Sequence, residues 1–181
     1  CPDGGTITGD VTETETSASG TITFNDCRVF VDGSFVSVNG TVTFNASIDA
    51  ELDWALNMAG NMSASDGVET MTLSGLDFKE TGNDGSGEFS INTYTFSVDF
   101  TGGGGFLAQL QAAIVGNERQ SCPNSPRSGI VLVTGANNTK SRATINDNGT
   151  VTIEFDDGSG TFTEVTEPAP GSPFPCADFF V

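Results

Sequence analysis

The stretch VTFNASIDAELDWALNM, residues 42–58, alternates apolar or small residues with polar ones. Extended to residue 62, the pattern puts an apolar or small residue at every even position, and most odd positions are Thr, Asn, Ser, Asp or Glu. Period-two alternation predicts a β-strand with one face in a core and the other in water. A helix over residues 50–59 is the alternative, but it would put Glu51 on the apolar side. The alternation therefore favours a strand.

This strand is too long to run without an interruption. At ~3.3 Å per residue, an unbroken run over residues 41–62 would span roughly 70 Å, far more than strands usually reach. We expect a bend or bulge near Asp49 to Glu51 that keeps the even positions on one face, and an elongated subunit. Asp49, Glu51 and Asp53 would then form a solvated acidic face, with joint binding of a cation as the alternative.

Similar alternation recurs between turn signals along the 181 residues. Dipeptides that tolerate positive φ favour tight hairpins. They lie at Asp32-Gly33, Asn39-Gly40, Asp66-Gly67, Asp84-Gly85, Asn148-Gly149 and Asp157-Gly158. Between them we predict strands at 5–14, 20–31, 34–38, 41–62, 68–78, 87–100, 129–135, 140–146, 149–156 and 160–166. The sequence thus predicts an all-β fold, an antiparallel meander that forms a sandwich or a barrel-like structure.

The segment GGGGFLAQLQAAIVG, residues 102–116, differs from the rest. It has good helix formers, with Leu107, Leu110 and Ile114 on one helical face and Gly116 placed as a stop. We predict one short helix over residues 105–115. The chain is then a single domain, 1–181, with two subdomains as an option: a long-strand meander at 1–104, the helix and connector at 105–128, and a small hairpin region with a Pro-rich tail at 129–181.

Four cysteines, Cys1, Cys27, Cys122 and Cys176, occur without any histidine. An even count without a C-x-x-C pair favours two disulfides formed in an oxidising compartment over a zinc site. Of the three pairings that four cysteines allow, sequence proximity favours Cys1 with Cys27 and Cys122 with Cys176. A chain that begins CPDGG without an initiator Met predicts removal of an export signal. The alternative is a lipoprotein acylated on Cys1, which leaves three cysteines.

The net charge is −18, from 24 Asp and Glu against 6 Lys and Arg. Such a chain cannot neutralise a phosphate backbone, so we expect no nucleic-acid partner, and it is repelled by anionic membrane surfaces. No apolar run approaches the ~20 residues of a transmembrane helix. We therefore expect an extracellular or cell-surface protein without a transmembrane segment.

The phrase TFNDCRVFVDGSFVSVNGTVTF, residues 23–44, contains Cys27, the turn glycine Gly33 and the Asn39-Gly40-Thr41 triplet. In these features it resembles a group of uncharacterised small exported Thr/Gly-rich β proteins of Gram-negative bacterial envelopes. The resemblance covers about a quarter of the chain. It implies an address in the envelope or outside the cell, and it carries no activity with it.

Catalytic chemistry has little support in the sequence. Without histidine there is no common general base, and a Ser-Lys arrangement would depend on Lys79 or Lys140, neither of which lies in a recognisable motif. We expect the protein not to be an enzyme. Calcium is the one cofactor for which ligands are suitably spaced, around the glycine turns at 83–88, 146–150 and 156–161. We interpret these segments as hairpin turns and expect no cofactor.

The two ends carry a signal for assembly. Residues 6–16 are strand-like with only Ile7 and Val11 as apolar anchors, as is typical of an edge strand. The Pro-rich tail ends on Phe179, Phe180 and Val181, which either pack in the chain's own core or dock on a neighbouring subunit.

Together these features favour a structural protein of the cell exterior: a subunit of an extracellular filament or surface assembly that self-associates into a homopolymer by strand addition or end-docking. The alternatives are a monomeric surface or periplasmic module that binds carbohydrate, lipid or protein, and an envelope lipoprotein anchored through Cys1.

Overall fold

The structure, a computed structural model, describes residues 1–31, 33–117, 127–147 and 150–165. This part of the chain forms eleven β-strands and one short 3-10 turn at Ala136–Asn138. The strands are β1 (Thr6–Glu13), β2 (Ser17–Val31), β3 (Ser34–Ile48), β4 (Asp53–Ser65), β5 (Thr70–Asn83), β6 (Glu88–Phe100), β7 (Gly105–Asn117), β8 (Ser128–Thr134), β9 (Lys140–Ile145), β10 (Val151–Asp156) and β11 (Thr163–Glu164).

All eleven strands lie in one antiparallel sheet whose order is the order of the sequence, β1 to β11. The predicted all-β antiparallel meander is therefore confirmed. The predicted sandwich or barrel-like closure is wrong: β1 and β11 lie at opposite edges of an open sheet. Each strand pairs with its predecessor, so within the described ranges no strand returns over the sheet to make a second layer.

The stretch at residues 41–62 is a hairpin and not one long strand. The chain reverses at residues 49–52, where the Asp49 side chain accepts hydrogen bonds from the backbone N–H groups of Glu51 and Asp53 at 3.0 and 2.9 Å. The register pairs Ile48 with Trp54, so even positions oppose even positions across β3 and β4. The expected continuous strand with a bend is wrong, as is the acidic strand face. The expected common facing of the even residues is confirmed, because a residue's pairing partner lies on the same face of the sheet.

Residues 105–115 form strand β7, and the predicted helix is wrong. The apolar residues Phe106, Ala108 and Leu110 also fit a period of two. Pairing of β7 with both β6 and β8 supplies backbone hydrogen bonds on its two sides. These non-local pairings outweigh the helix propensity of Leu, Ala and Gln, which amounts to only tenths of a kcal/mol per residue.

The Asn39-Gly40 dipeptide is not a turn; it lies within β3, opposite a bulge in β2 between Phe24 and Cys27. Gly40 has φ +137°, and a Cβ there would lie 2.3 Å from the Asn61 carbonyl oxygen. Its glycine is therefore required by the close approach of β4. The Asn39 side-chain oxygen accepts a hydrogen bond from the backbone N–H of Asp26 in the bulge, at 2.8 Å.

A disulfide joins Cys1 to Cys27 and ties the segment before β1 to β2. Cys27 is 4% exposed. The second expected pair, Cys122 with Cys176, lies outside the described residues. The sheet is continuous between the expected subdomains 1–104 and 129–181, because β7 pairs with β6 on one side and with β8 on the other.

We predict that Cys1→Ser lowers the free energy of unfolding by about 3.5 kcal/mol, because the disulfide closes a loop of 26 residues and restricts the unfolded chain. Urea unfolding monitored by far-UV circular dichroism measures this. Asp3→Ser, a change at an exposed neighbour, is the control and should leave the midpoint unchanged. A loss below about 1 kcal/mol in Cys1→Ser would show that the loop constraint contributes little.

Candidate functional site

The sheet has one apolar face and one polar face. We call the apolar face the side on which Val42, Phe44, Trp54 and Met58 lie. The strand register places apolar residues on this face from β1, where Ile7 and Val11 lie, to β10, where Ile153 and Phe155 lie. Between these limits it includes Ala18, Ile22, Leu56, Met62, Leu73, Phe78, Tyr94, Phe96, Val98, Phe106, Ala108, Val131, Val133 and Ala143.

Charge divides the two faces. Within the described strands, Glu13 and Glu80 are the charged residues on the apolar face. The opposite face has Thr, Ser and Asn at most positions and also the remaining strand charges: Asp10, Asp26, Arg28, Asp53, Asp77, Lys79, Glu88, Asp99, Lys140, Arg142, Glu154, Asp156 and Glu164. The net negative charge therefore lies mainly on the polar face and in the turns.

The centre of the apolar face is packed by aromatic rings. Tyr94 lies edge-on between Phe78 and Phe96, at centroid distances of 6.2 and 5.2 Å, and Phe96 contacts Phe106 at 6.0 Å. Burial raises the pKa of the Tyr94 hydroxyl. Contacts along the sheet therefore bury part of these side chains.

The rest of the apolar face is open to solvent. Met71, Phe100 and Phe155 are 39%, 41% and 45% exposed. Most of the central residues, such as Val42 and Phe44, are only half-buried. No element among the described residues lies over this face, since every strand belongs to the same sheet.

Strand β1 is an open edge. All eight of its residues are exposed, and among the described strands it pairs with β2 alone. An edge strand has backbone N–H and C=O groups that no neighbouring strand satisfies. Ile7 and Val11, the assembly residues predicted from the sequence, lie here on the apolar face and are 49% and 46% exposed. The other predicted assembly residues, Phe179, Phe180 and Val181, lie outside the described residues.

A shallow depression of about 750 Å³ crosses β2 to β7 at the end of the sheet that contains Trp54. The Trp54 ring lies over Gly82, where a Cβ would come within 2.5 Å of the ring. Nearby, the Asp53 carboxylate accepts a hydrogen bond from the Asn83 amide at 2.7 Å. Asp53 and Trp54 are consecutive strand residues, so the ring lies on the apolar face and the carboxylate on the polar face.

Two of the three segments with closely spaced oxygen ligands, 83–88 and 156–161, form turns. Asn83 accepts a hydrogen bond from the Ser86 N–H at 2.8 Å, and one oxygen of Asp156 accepts bonds from the N–H groups of Gly158 and Gly160, each at 2.9 Å. The other oxygen of Asp156 is buried without a hydrogen-bond partner. Part of the 146–150 segment lies outside the described residues. No group of three or more His, Cys, Asp or Glu side chains in the described ranges could hold a metal ion.

On the polar face, hydrogen bonds from neighbouring side chains hold two carboxylates, those of Asp26 and Glu154, in place. Asp26 in the β2 bulge accepts hydrogen bonds from the Ser37 hydroxyl at 2.5 Å and the Arg28 guanidinium at 2.7 Å, and these lower the pKa of its carboxyl. Arg142 donates two hydrogen bonds to Glu154, at 2.7 and 2.9 Å, and lowers the pKa of that carboxyl. Such pairs are typical of a structural role on a sheet surface.

The sequence pattern carries part of the signal for the apolar face. The alternation seen at residues 42–62 continues in β5 to β10, but there bulges shift its phase, as between Ile91 and Thr95. The contact of Trp54 with Gly82 had no sequence signal, because it depends on the register between β4 and β5.

We predict that Gly82→Ala destabilises the fold by about 1–3 kcal/mol, because the added methyl group overlaps the Trp54 ring. Trp54 is the only tryptophan, so its fluorescence reports the displacement directly. Gly102→Ala is the control, since a Cβ there meets nothing within 4 Å. Identical spectra and urea midpoints for Gly82→Ala and the native chain would show that the ring does not pack on Gly82.

We predict that Ser37→Ala raises the pKa of Asp26 towards its ordinary value of 3.8, because the Ser37 hydroxyl is the main cause of the depressed pKa. A depressed folded-state pKa stabilises the fold at pH values above the unfolded value, and that stabilisation is lost as the pH falls through the folded value. Ser37→Ala should therefore reduce the loss of stability on acidification below about pH 4. Carboxyl-carbon NMR titration measures the pKa, with Ser63→Ala on β4 as control; an unchanged Asp26 pKa in Ser37→Ala would contradict the assignment.

Comparison with known proteins adds no family assignment. No family model matches the chain, and neither a curated protein nor a solved structure matches it. The function is therefore inferred from the geometry of the sheet, above all from its open edge and its apolar face.

Proposed function

We propose that this chain is a structural, non-catalytic subunit of an extracellular or cell-surface assembly, and that it polymerises by strand addition at β1. One observation carries the proposal: β1 is a fully exposed edge strand of an open sheet, with Ile7 and Val11 on its apolar side. Proteins that stay monomeric protect such edges with charge, proline, bulges or a covering element. The apolar side of β1 contains only one charged residue, Glu13, at its end.

Strand addition would extend the existing sheet. An incoming strand pairs with the free backbone groups of β1, and its apolar residues join the row formed by Ile7 and Val11. The opposite edge of the described sheet is short, since β11 has two residues and β10 has six. A contact between two different edges does not close on itself, so it produces an open filament.

One feature supports an external location. The Cys1–Cys27 disulfide is typical of proteins that fold in oxidising compartments. The described residues contain no helix long and apolar enough to cross a membrane. The charge of −18 keeps separate copies soluble before they assemble.

Negative-stain electron microscopy tests the proposal with a matched pair of variants. The native chain should form filaments at high concentration, and the double variant Ile7→Lys/Val11→Lys should not, because it places charges where the next strand must pack. Thr8→Lys/Thr12→Lys adds the same charge to the polar side of β1 and should retain the filaments.

Three results would overturn the proposal: a native chain that forms no filaments at any salt concentration, filaments that persist in Ile7→Lys/Val11→Lys, and filaments lost equally in both variants. Circular dichroism establishes that each variant is folded.

A binding module is the second candidate, and the depression at Trp54 favours it. A tryptophan ring on an open sheet face is a group against which a sugar or a small amphipathic molecule can pack. Trp54→Ala should abolish the binding of any glycan retained on an array while leaving filament formation intact. An array on which the native chain retains nothing would remove this candidate.

A further inference from the structure

The described chain supplies only one layer of structure. A sheet with an apolar face becomes stable by burying that face against a second layer, a helix or another sheet. Here all eleven strands occupy the first layer. The second layer must therefore come from another part of the chain or from another molecule.

The apolar face is large enough for a stable interface. Strands β2 to β7 each have 13 to 15 residues. At ~4.8 Å between strands and ~3.3 Å per residue, these six strands cover roughly 29 by 43 Å, or about 1,200 Å². A standard protein interface uses about 800 Å² on each partner, and the largest apolar patch on a typical monomer is about 300–600 Å².

The stretches of this sequence outside the described ranges are too short to cover this area. The two longer stretches outside the described ranges are residues 118–126 and 166–181. Fully extended as single strands, they would cover roughly 400 Å² in total, about a third of the central area.

The distribution of charge identifies the kind of partner. With −18 charges on the chain, an anionic lipid surface is repelled. A second copy of this chain presents a face of the same size on which Glu13 and Glu80 are the charged residues among the described strands. Packing the two apolar faces together leaves nearly all other charges on the outside or at the rim.

We infer that the apolar face is the seat of a second copy of this chain, packed face to face as the second layer of a two-sheet sandwich. Aligned sheets of this kind lie ~10 Å apart with their strands about 30° from parallel. This inference adds a second contact to the self-association proposed above. It rests on that proposal only because it takes a second copy of the chain as the partner. The interface itself is separate, because it centres on the apolar face of β2 to β7 and not on the backbone edge of β1.

Light scattering on a sizing column tests the inference, using both the native chain and the edge-blocked Ile7→Lys/Val11→Lys chain so that filaments do not obscure the dimer. We expect a dimer whose dissociation constant falls at least ~10-fold between 20 and 500 mM NaCl, because salt screens the repulsion between copies. In the edge-blocked background, Val42→Glu/Ala46→Glu on the apolar face of β3 should raise that constant at least ~100-fold, because it opposes buried like charges. Thr41→Glu/Asn45→Glu, on the polar face of the same strand, should leave it unchanged.

An edge-blocked chain that remains monomeric at 100 µM (about 10²-fold above a micromolar dissociation constant) in high salt would overturn the inference. So would a dimer that tolerates Val42→Glu/Ala46→Glu, or a monomer shown by native mass spectrometry to carry lipid. If that variant does not fold, acrylamide quenching of Trp54 in the edge-blocked chain decides: quenching that falls as the concentration rises supports a covered face, and constant quenching contradicts it. Dimers without filaments would refute the edge proposal alone, and filaments without face-dependent dimers would refute only this inference.

Discussion

An apolar sheet face must be covered, and this constraint links the features of the structure. Each Å² of apolar surface left in water costs about 25 cal/mol, so a face spanning β2 to β7 is a strong driving force for association. The polar face has no such need, because its Thr, Ser and Asn side chains bond to each other and to water. The pair Ser74 and Ser97, whose hydroxyl oxygens lie 2.8 Å apart, is one example. The two faces therefore have different roles in the proposal: one is a solvated surface, and the other is where the second copy would pack.

The face and the edge would act together in an assembly. Strand addition at β1 lengthens the sheet, and face-to-face packing gives it a second layer. Two-layered β assemblies use both directions, with strands about 4.8 Å apart within a sheet and sheets about 10 Å apart. The large apolar face would stabilise each added subunit.

The alternation in residues 42–58 was sufficient to predict strands, the antiparallel order and the shared facing of Val42 and Trp54. It was not sufficient to locate the reversal of the chain at Asp49. The loop there pairs even-numbered residues of β3 with even-numbered residues of β4, so the alternation of apolar and polar residues runs through it unbroken. The helix predicted at residues 105–115 failed for a different reason: Leu110 and Ile114 satisfy both periods, and only pairing with β6 and β8 distinguishes them. An open sheet instead of a closed one also could not be predicted, since closure depends on the twist and stagger of all strands together.

Of the candidate site, the sequence predicted only the residues of the edge strand β1. Ile7 and Val11 were identified from their isolation among polar residues, but the extent of the apolar face required the register of every strand. The sequence does place a direct probe on that face: its three methionines, Met58, Met62 and Met71, all lie there. Met71 is 39% exposed, and the other two are half-buried in the single chain.

Oxidative footprinting of these methionines tests the central claim that a second copy covers the apolar face. The fraction of sulfoxide at Met58 and Met62 is measured by mass spectrometry in assembled protein and in protein diluted until it is monomeric. The account predicts strong protection of both residues in the assembled state and its loss on dilution. Equal oxidation in the two states would contradict it, because a face that stays open in the assembly cannot be where the copies meet.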